Sequence, residues 1–322
     1  MISRRYLRIK VMQALYAKQA NTEEDLLTGE KELEKSIERC EELSFHFYSI
    51  FPEIKRYLEN KFEERKSKNF PSEGDLNPNM KFVNNLVIAQ MENSRQLNRK
   101  WDEFKINWAQ QKELIIKLYN SITELPEYQL YMQNEENSYK QDKELVLTII
   151  EKVFAESTLL HWYFEEKFVH WFDDYNDALL LVYQSITFWK ASMKEVQAAP
   201  LYKDAAEDIA FFKNLYRKTI SNRREYMGMI EENLKNWESD RIIETDKILM
   251  QMAICELLEF PNIPTKVTIN EYIEIAKTYG SEKSGIFING LIDKIANELR
   301  EEGRLKKTGR GLLDRSINQA GE

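Results

Sequence analysis

The sequence predicts an all-α protein, and three observations support this fold class. Only ten glycines and seven prolines occur in 322 residues, while helix-forming glutamate, lysine, leucine and isoleucine dominate. Apolar residues recur with helical periodicity along the chain. The C-terminal quarter contains three such segments joined by short connections, so we expect consecutive helices there to pack side by side around a shared core.

The first of these helices is predicted for residues 246–258. Thr245 or Asp246 is placed to cap its N-terminus. Pro261 and Pro264 cannot continue it, so the chain must turn there. Its apolar stripe comprises Ile248, Leu249, Met252, Ala253 and Leu257.

The second helix is predicted around residues 269–277, with a capping box formed by Thr268 and Glu271. Gly280 is expected to end it in a left-handed conformation. The third helix begins at Ser284 and is interrupted by Gly290. Because glycine inside a helix costs about 1 kcal/mol relative to alanine, we interpret Gly290 as the mark of a close approach by another backbone or a ligand. The two apolar stripes are Ile269, Tyr272, Ile273 and Ala276, then Ile288, Leu291, Ile292, Ile295 and Leu299.

The order of motifs in this quarter resembles the NusB family of bacterial transcription antitermination factors. TINEYIEIAK is followed by YGSEKSGIFINGLIDKIA, and a helix that begins with Asp246 precedes both. The family has a D-x-x-(apolar)₃ helix, then INEA-(apolar)-E-(apolar)-AK, then KFVNGVLDK. The three elements lie here at 246–258, 269–277 and 287–294, in the same order and spacing. The resemblance implies a NusB-like helical bundle.

The segment SRRYLRIKVMQALYAKQ predicts a first helix whose initial turns are crowded with cations. A solvated basic face is the simpler interpretation, and a phosphate-binding arm is the alternative. The NusB family begins with a similar arginine-rich run that leads into (A/V)-x-Q-x-LY, here residues 11–16, and this arm belongs to its RNA-binding surface. The resemblance therefore implies RNA contacts by Arg4, Arg5, Arg8, Lys10 and Tyr16.

Further RNA-binding residues are expected at the start of the third C-terminal helix. The resemblance points to Phe287, Asn289 and Gly290, with the Phe287 ring either stacked on a base or packed in the core. Gln251 stands where the family usually has arginine, and Lys283 stands where it commonly has an acidic residue. One cation is thus lost and another appears, so Lys283 is included among the predicted RNA contacts.

The resemblance also implies partners. Glu256 and Glu271 lie near the helices by which the family contacts protein, and we expect them to face the ribosomal protein NusE. The implied function is transcription antitermination or termination, in which NusE and a boxA-like segment of nascent RNA are bound within the transcription elongation complex of rRNA operons. The alternative is a non-catalytic scaffold that binds proteins through residues 21–200.

Residues 21–200 have no counterpart in the short NusB proteins and resemble the long helical insertion of Bacteroidetes-type homologues. They contain 22 basic and 33 acidic side chains, so the insertion is acidic. Helices are predicted at 29–66 with a bend at Pro52, and at 81–99, 112–122, 140–172 and 175–196. The predicted organisation is an RNA-binding domain of residues 1–20 and 201–302, this insertion, and a basic flexible tail at 303–322.

The densest part of the insertion is LLHWYFEEKFVHWFDDY, residues 159–175. His161 and Glu165 are four residues apart, as are Glu166 and His170, which permits a metal site to be drawn. The segment lacks H-E-x-x-H spacing, however, and seven aromatic residues surround the polar ones. We therefore predict a role in core packing or in a partner interface. Base stacking is opposed by the acidic neighbours.

The remaining patterns argue against an enzyme. The sequence contains no G-x-x-x-x-G-K-[ST], no G-x-G-x-x-G and no nucleophile elbow. Cys40 and Cys255 are far apart, so neither a disulfide framework nor a zinc site is predicted. We expect no cofactor and no metal. Without a signal peptide or an apolar run of membrane-spanning length, a cytoplasmic protein is expected.

Overall fold

The computed structural model describes residues 1–20, 25–168, 170–234 and 242–314, which form helices and no strand. The predicted all-α class is confirmed. The helices of the first two thirds of the chain are α1 (Arg4–Ala20), α2 (Leu26–Lys66), α3 (Glu73–Leu76), α4 (Leu86–Asn93), α5 (Arg95–Glu103), α6 (Lys112–Glu124), α7 (Pro126–Gln133), α8 (Tyr139–Ile149), α9 (Thr158–Lys167) and α10 (Trp171–Phe188).

The last third of the chain contains five more α-helices and a short 3₁₀ helix within the described ranges. They are α11 (Ala205–Ser221), α12 (Arg223–Asn233), α13 (Glu244–Glu259), α14 (Thr265–Tyr279), α15 (Ser284–Glu301) and the 3₁₀ helix Gly309–Asp314. None of the described helices is long and apolar enough to cross a membrane.

The chain divides into two compact units. The insertion unit comprises Met1–Ile2 and Glu38–Leu201, and the terminal unit comprises Ser3–Ile37 and Tyr202–Glu322. The boundary after Ile37 falls inside α2, whereas the sequence predicts a domain boundary after residue 20. A helix gives no local signal of such a boundary, because its periodicity continues unchanged across it.

Helix α13 is the centre of the terminal unit. It packs against α1, α11, α12, α14 and α15, and every residue from Ile248 to Leu257 is buried. A helix that is buried all round must be apolar on all its faces, which explains why the sequence ILMQMAICEL carries few polar side chains. The two polar exceptions, Gln251 and Glu256, need partners inside the fold.

The ends of α13 and α14 differ from the sequence predictions. Helix α13 begins at Glu244, one residue after Ile243, and no side chain caps it. Helix α14 begins three residues before Thr268, with Pro264 as N-cap, so the predicted capping box is wrong. Gly280 is extended rather than left-handed. A Cβ at this position would lie 2.5 Å from Cβ of Ser284, so close packing of the next helix requires the glycine there.

Two long predicted helices of the insertion unit are broken in the structure. The segment 81–99 divides into α4 and α5 at Ser94, whose hydroxyl accepts a hydrogen bond from the Leu97 N–H. The segment 140–172 contains a π-helical turn, Ile150–Phe154, and a new helix that Ser157 caps. Serine favours N-caps because its hydroxyl satisfies an otherwise unpaired N–H group. Pro52, by contrast, lies within α2 without ending it.

Aromatic side chains fill the core of the insertion unit. The Phe47 ring lies 5.1 Å from the Phe164 ring and 5.0 Å from the Tyr175 ring, both edge-on. Trp171 is buried, and its Nε1 donates to the Arg39 carbonyl at 3.2 Å. The segment 159–175 therefore contributes to the core through Leu160, Phe164, Trp171 and Tyr175.

The two histidine–glutamate pairs of this segment do not assemble into a metal centre. The His161 ring stacks on the Tyr175 ring at 3.5 Å between centroids. Within the described ranges, no group of three or more His, Cys, Asp or Glu side chains is arranged to hold a metal ion. The side chains of Glu165, Glu166, His170 and Asp173 are exposed, whereas Asp174 is buried beside the core aromatic residues. Two aromatic residues of the segment, Trp162 and Phe172, also lie on the surface.

Candidate nucleic-acid interface

A buried ion pair links α1 to α13. Arg8 Nε donates to Glu256 Oε2 at 2.8 Å, and Arg8 Nη2 donates to Oε1 at 2.7 Å. The two side chains are 3% and 0% exposed. Helix α14 supplies two further donors, since the Thr268 hydroxyl lies 2.8 Å from Oε1 and the Tyr272 hydroxyl lies 3.2 Å from Oε2. The carboxylate therefore accepts four hydrogen bonds.

Burial and charge both act on the groups of this pair. Burial would lower the pKa of Arg8, but the negative charge and hydrogen bonds of Glu256 outweigh it and raise the pKa above its usual value. Burial and the same carboxylate raise the pKa of Tyr272 well above its usual value. Arg8 is therefore a buried cation, and Tyr272 keeps its proton.

The predicted roles of Arg8, Lys10 and Glu256 are revised by their burial. Arg8 and Glu256 point at each other inside the terminal unit, so neither presents its charge to RNA or to a protein partner. Lys10 is 1% exposed, and its Nζ lies 5.4 Å from the centroid of the Tyr6 ring. On an amphipathic helix, some residues of an arginine-rich run must face inward. On α1, Arg8 and Lys10 are the residues that do so.

Arg4 and Arg5 are the arginines of α1 that reach the surface, with side chains 36% and 45% exposed. Arg5 forms a bidentate pair with Glu271, both N–O distances being 2.9 Å. Hydrogen bonding to that carboxylate raises the pKa of Arg5. Arg4 donates to Glu207 at 2.6 Å. Carboxylates therefore occupy the positions that phosphate groups would take.

These arginines line a cavity of about 500 Å³ in the terminal unit, which we call the arginine cavity. The first turn of α14 forms part of its wall, and Pro264 leaves that helix without a side-chain cap. The N-terminal end of a helix carries partial positive charge and favours an anion. The cavity is lined by Ser3, Arg4, Arg5, Arg8, Asn262, Ile263, Pro264, Val267, Glu271 and Arg310.

The other predicted RNA contacts lie outside the lining of the arginine cavity. Tyr16 is exposed on α1. Lys283, Asn289 and Gly290 are exposed around the start of α15, whereas Phe287 is half-buried. Half-burial leaves both interpretations of the Phe287 ring open. For all five residues, RNA contact stays a prediction.

Gln251 lies in a smaller cavity of about 210 Å³, whose lining includes Lys18 and Arg223. Its side chain is buried, and its Nε2 lies 2.9 Å from the Met227 sulfur. The side chains of Lys18 and Arg223 already place cations there.

Comparison with known proteins supports the resemblance. The sequence model of the NusB family matches residues 177–297. "Transcription antitermination protein NusB" of Salinibacter ruber is 47% identical over 103 residues, and its namesake of Chloroherpeton thalassium is 38% identical over 128 residues. The protein of the same name from Natranaerobius thermophilus is 33% identical over 129 residues, which are 92% of its length. The chain belongs to the NusB family.

The match covers 32%, 39% and 38% of this chain, and 64% and 61% of the length of the first two relatives. No solved structure matches the chain. The NusB family match begins inside α10 and ends inside α15, so it starts about two dozen residues before the predicted boundary at 201. Helix α1 lies outside it, and the resemblance of residues 1–20 to the NusB arm stays a prediction.

Three residues of this region were missed by sequence reasoning. Thr268 and Tyr272 were interpreted as a cap and as part of an apolar stripe, yet both donate to Glu256. Arg310 was placed in a flexible tail, yet it lines the arginine cavity. The sequence does contain one signal for Arg310, since two glycines flank it. Residues 237–242, which resemble the loop before the 246–258 helix of the NusB family, lie largely outside the described residues.

Gly290→Ala should stabilise the protein by up to about 1 kcal/mol, because alanine is the better helix former. The predicted close approach by another backbone is wrong, since a Cβ at this position would meet nothing within 4 Å among the described residues, and approach by a ligand stays a prediction. Chemical denaturation of both proteins measures the change. Gly280→Ala is the matched control and should destabilise, because its Cβ would clash with Ser284. A loss of stability in Gly290→Ala would contradict the expectation.

Proposed function

We propose that this NusB-family protein is an RNA-binding transcription antitermination factor. It binds a boxA-like segment of nascent RNA and pairs with ribosomal protein NusE in the transcription elongation complex, in support of rRNA operon transcription. The observation that carries the RNA-binding role is the arginine cavity, where Arg4 and Arg5 meet the uncapped start of α14. The partnership with NusE rests on family membership. Of the two predicted partner contacts, only Glu271 remains, because Glu256 is buried.

The ion pairs that Arg4 and Arg5 form with carboxylates are weak enough for an RNA phosphate to replace the carboxylates. The protein carries a net charge of −8, so its cationic groups must be concentrated locally to attract a polyanion. Arg4 and Arg5 are held by Glu207 and Glu271 in partly exposed pairs, which are typically worth less than about 1 kcal/mol. A phosphate can therefore replace either carboxylate with little loss, and the release of counterions from RNA then favours binding.

The double variant Arg4→Ala, Arg5→Ala should bind single-stranded RNA more weakly and with a shallower salt dependence. Each phosphate contact on a single strand contributes about 0.7 to the slope of log K against log salt concentration, so the slope should flatten by about 1.4. Fluorescence anisotropy with a boxA-like RNA at several salt concentrations measures it.

The matched control is Arg56→Ala, Arg65→Ala, which removes two exposed arginines of α2 in the insertion unit. It should leave the slope unchanged. Equal slopes for all three proteins would contradict the proposed RNA-binding surface.

The second candidate function is a protein-binding scaffold, and exposed aromatic side chains of the insertion unit favour it. Trp162 on α9 is 63% exposed, and Phe172 on α10 is 59% exposed. Large exposed apolar residues often mark protein contacts. A chain that binds no RNA in the salt series would leave this function as the better account.

A further inference from the structure

We infer that the C-terminal segment 304–312 forms a second wall of the arginine cavity and that Arg310 is a phosphate ligand for single-stranded RNA. The inference rests on the proposed function and deepens it. The segment lies beyond residue 297, where the NusB family match ends, so the family pattern does not assign it. It was predicted to be a flexible tail, but the structure gives it fixed contacts.

The segment first turns back at the end of α15. The backbone N–H groups of Arg304 and Leu305 both donate to the Leu299 carbonyl, at 2.9 and 3.1 Å. The Arg304 guanidinium also pairs with Glu225 on α12. These bonds direct the chain away from the axis of α15 and towards the connection between α13 and α14.

Three hydrogen bonds then attach the segment to that connection. The Thr308 N–H donates to the Pro261 carbonyl at 3.0 Å, and its hydroxyl lies 3.1 Å from Asn262 Oδ1. Lys307 Nζ donates to the Phe260 carbonyl at 3.2 Å. Residues 260–262 immediately precede the uncapped start of α14, so the segment is fixed beside the positive end of that helix.

Two glycines allow the closest part of this contact. Gly309 has a φ of +52°, in the left-handed region that favours glycine. A Cβ at Gly311 would lie 2.1 Å from the Pro261 carbonyl oxygen, a distance that no side chain can occupy. Arg310 stands between these two positions, and the contact therefore holds this residue in the lining of the cavity.

Within the described part of the chain, Arg310 differs from the other surface arginines of the cavity in having no carboxylate partner. Arg4 and Arg5 form ion pairs with Glu207 and Glu271. Arg310 is exposed, and no acidic side chain among the described residues pairs with it. Among the described residues, no carboxylate has to leave when a phosphate approaches Arg310. Of the surface arginines of the cavity, Arg310 is therefore the one at which these residues offer a phosphate no competing anion.

The chemistry at Arg310 recognises a backbone phosphate and not a base. Its neighbours in the lining are the short polar or apolar residues of 262–264 and the positive end of α14. These groups can position an anion, but they do not form a set of hydrogen-bond donors and acceptors that would recognise the edge of a particular base. The contribution of Arg310 should therefore be the same for any single-stranded RNA of equal length.

The test compares four full-length proteins for binding of a boxA-like RNA and a scrambled RNA of equal length over a salt series. Arg310→Ala should flatten the slope of log K against log salt concentration by about 0.7 on both RNAs. Affinity at about 0.1 M salt should then fall about fivefold more than at about 1 M salt. Because the side chain is exposed, the melting temperature should not change.

Two further variants test whether RNA binding depends on where Arg310 is held, and not only on its charge. Gly311→Ala retains Arg310 but forces the segment away from Pro261, and it should reproduce the loss of slope. Arg300→Ala removes an exposed arginine of α15 that donates to Asn297, and it should behave as the wild type. A wild-type slope in either Arg310→Ala or Gly311→Ala would overturn the inference.

The outcome also separates this inference from the proposed function. If Arg4→Ala, Arg5→Ala flattens the slope and Arg310→Ala does not, the RNA-binding surface stands and the role of the C-terminal segment is wrong. If the wild-type protein binds neither RNA with a salt dependence, the proposed function fails and the inference fails with it.

Discussion

Replacing Glu256 with alanine should lower the free energy of unfolding by about 3–5 kcal/mol. The substitution leaves the Arg8 guanidinium buried without its anion, and the hydroxyls of Thr268 and Tyr272 lose their acceptor. The loss of an isolated buried charge partner is among the most destabilising single changes. Urea denaturation followed by circular dichroism measures it.

Two controls make this expectation specific. Glu271→Ala removes the partly exposed carboxylate that pairs with Arg5, and it should cost less than about 1 kcal/mol. The double variant Arg8→Met, Glu256→Leu replaces both charges with apolar groups and should recover most of the stability, since such replacements are often neutral. A small effect of Glu256→Ala alone would show that water reaches Arg8.

Acidification should destabilise the protein through His46. This side chain is buried on α2, where its ring lies 5.2 Å from the Trp171 ring and 5.6 Å from the Phe164 ring. Burial lowers the pKa of His46 to about 3, and the Lys167 cation acts in the same direction. The unfolded chain takes up this proton near pH 6.5, so the free energy of unfolding should fall from about pH 6.5 down to pH 3.

The size of this effect follows from the shift. Each pH unit between the two pKa values is worth about 1.4 kcal/mol, which gives about 2 kcal/mol by pH 5 and about 4–5 kcal/mol by pH 3. His46→Phe cannot take up the proton, so its stability should decrease less than that of the wild type between pH 7.5 and pH 5. His170→Gln, which replaces an exposed histidine, serves as the control. Parallel pH curves for wild type and His46→Phe would refute the expectation.

The sequence predicted the packing of the C-terminal helices because their apolar stripes are local properties. Ile288, Leu291 and Ile295 lie on one face of α15 in any helix, and all three are buried. Helix ends were predicted less well. Thr268 has the residue type and spacing of a cap, yet it lies inside α14, and its hydroxyl donates to Glu256 instead. Tertiary contacts override local capping preferences in such cases.

The candidate site was predictable only in part for a related reason. The sequence singles out the arginine-rich start of α1, where Arg4 and Arg5 line a cavity, and their contact with RNA stays a prediction. The pattern could not distinguish them from Arg8, whose partner Glu256 lies 248 residues away in the chain. Nor could composition reveal that Gly311 brings the C-terminal segment against Pro261. Partners so distant in sequence leave no periodic signal.

The same separation of 248 residues between Arg8 and Glu256 has a consequence for synthesis. At about 5–20 residues per second, the ribosome completes α1 roughly 12–50 s before it completes the partner in α13. During this interval the residues from Glu38 to Leu201 emerge and can form their own contacts, while α1 still lacks α13. The arginine cavity, which also needs Arg310, cannot exist before the chain has been synthesised to that residue. The surface that we assign to RNA therefore forms late in synthesis, after the residues of the insertion unit have emerged.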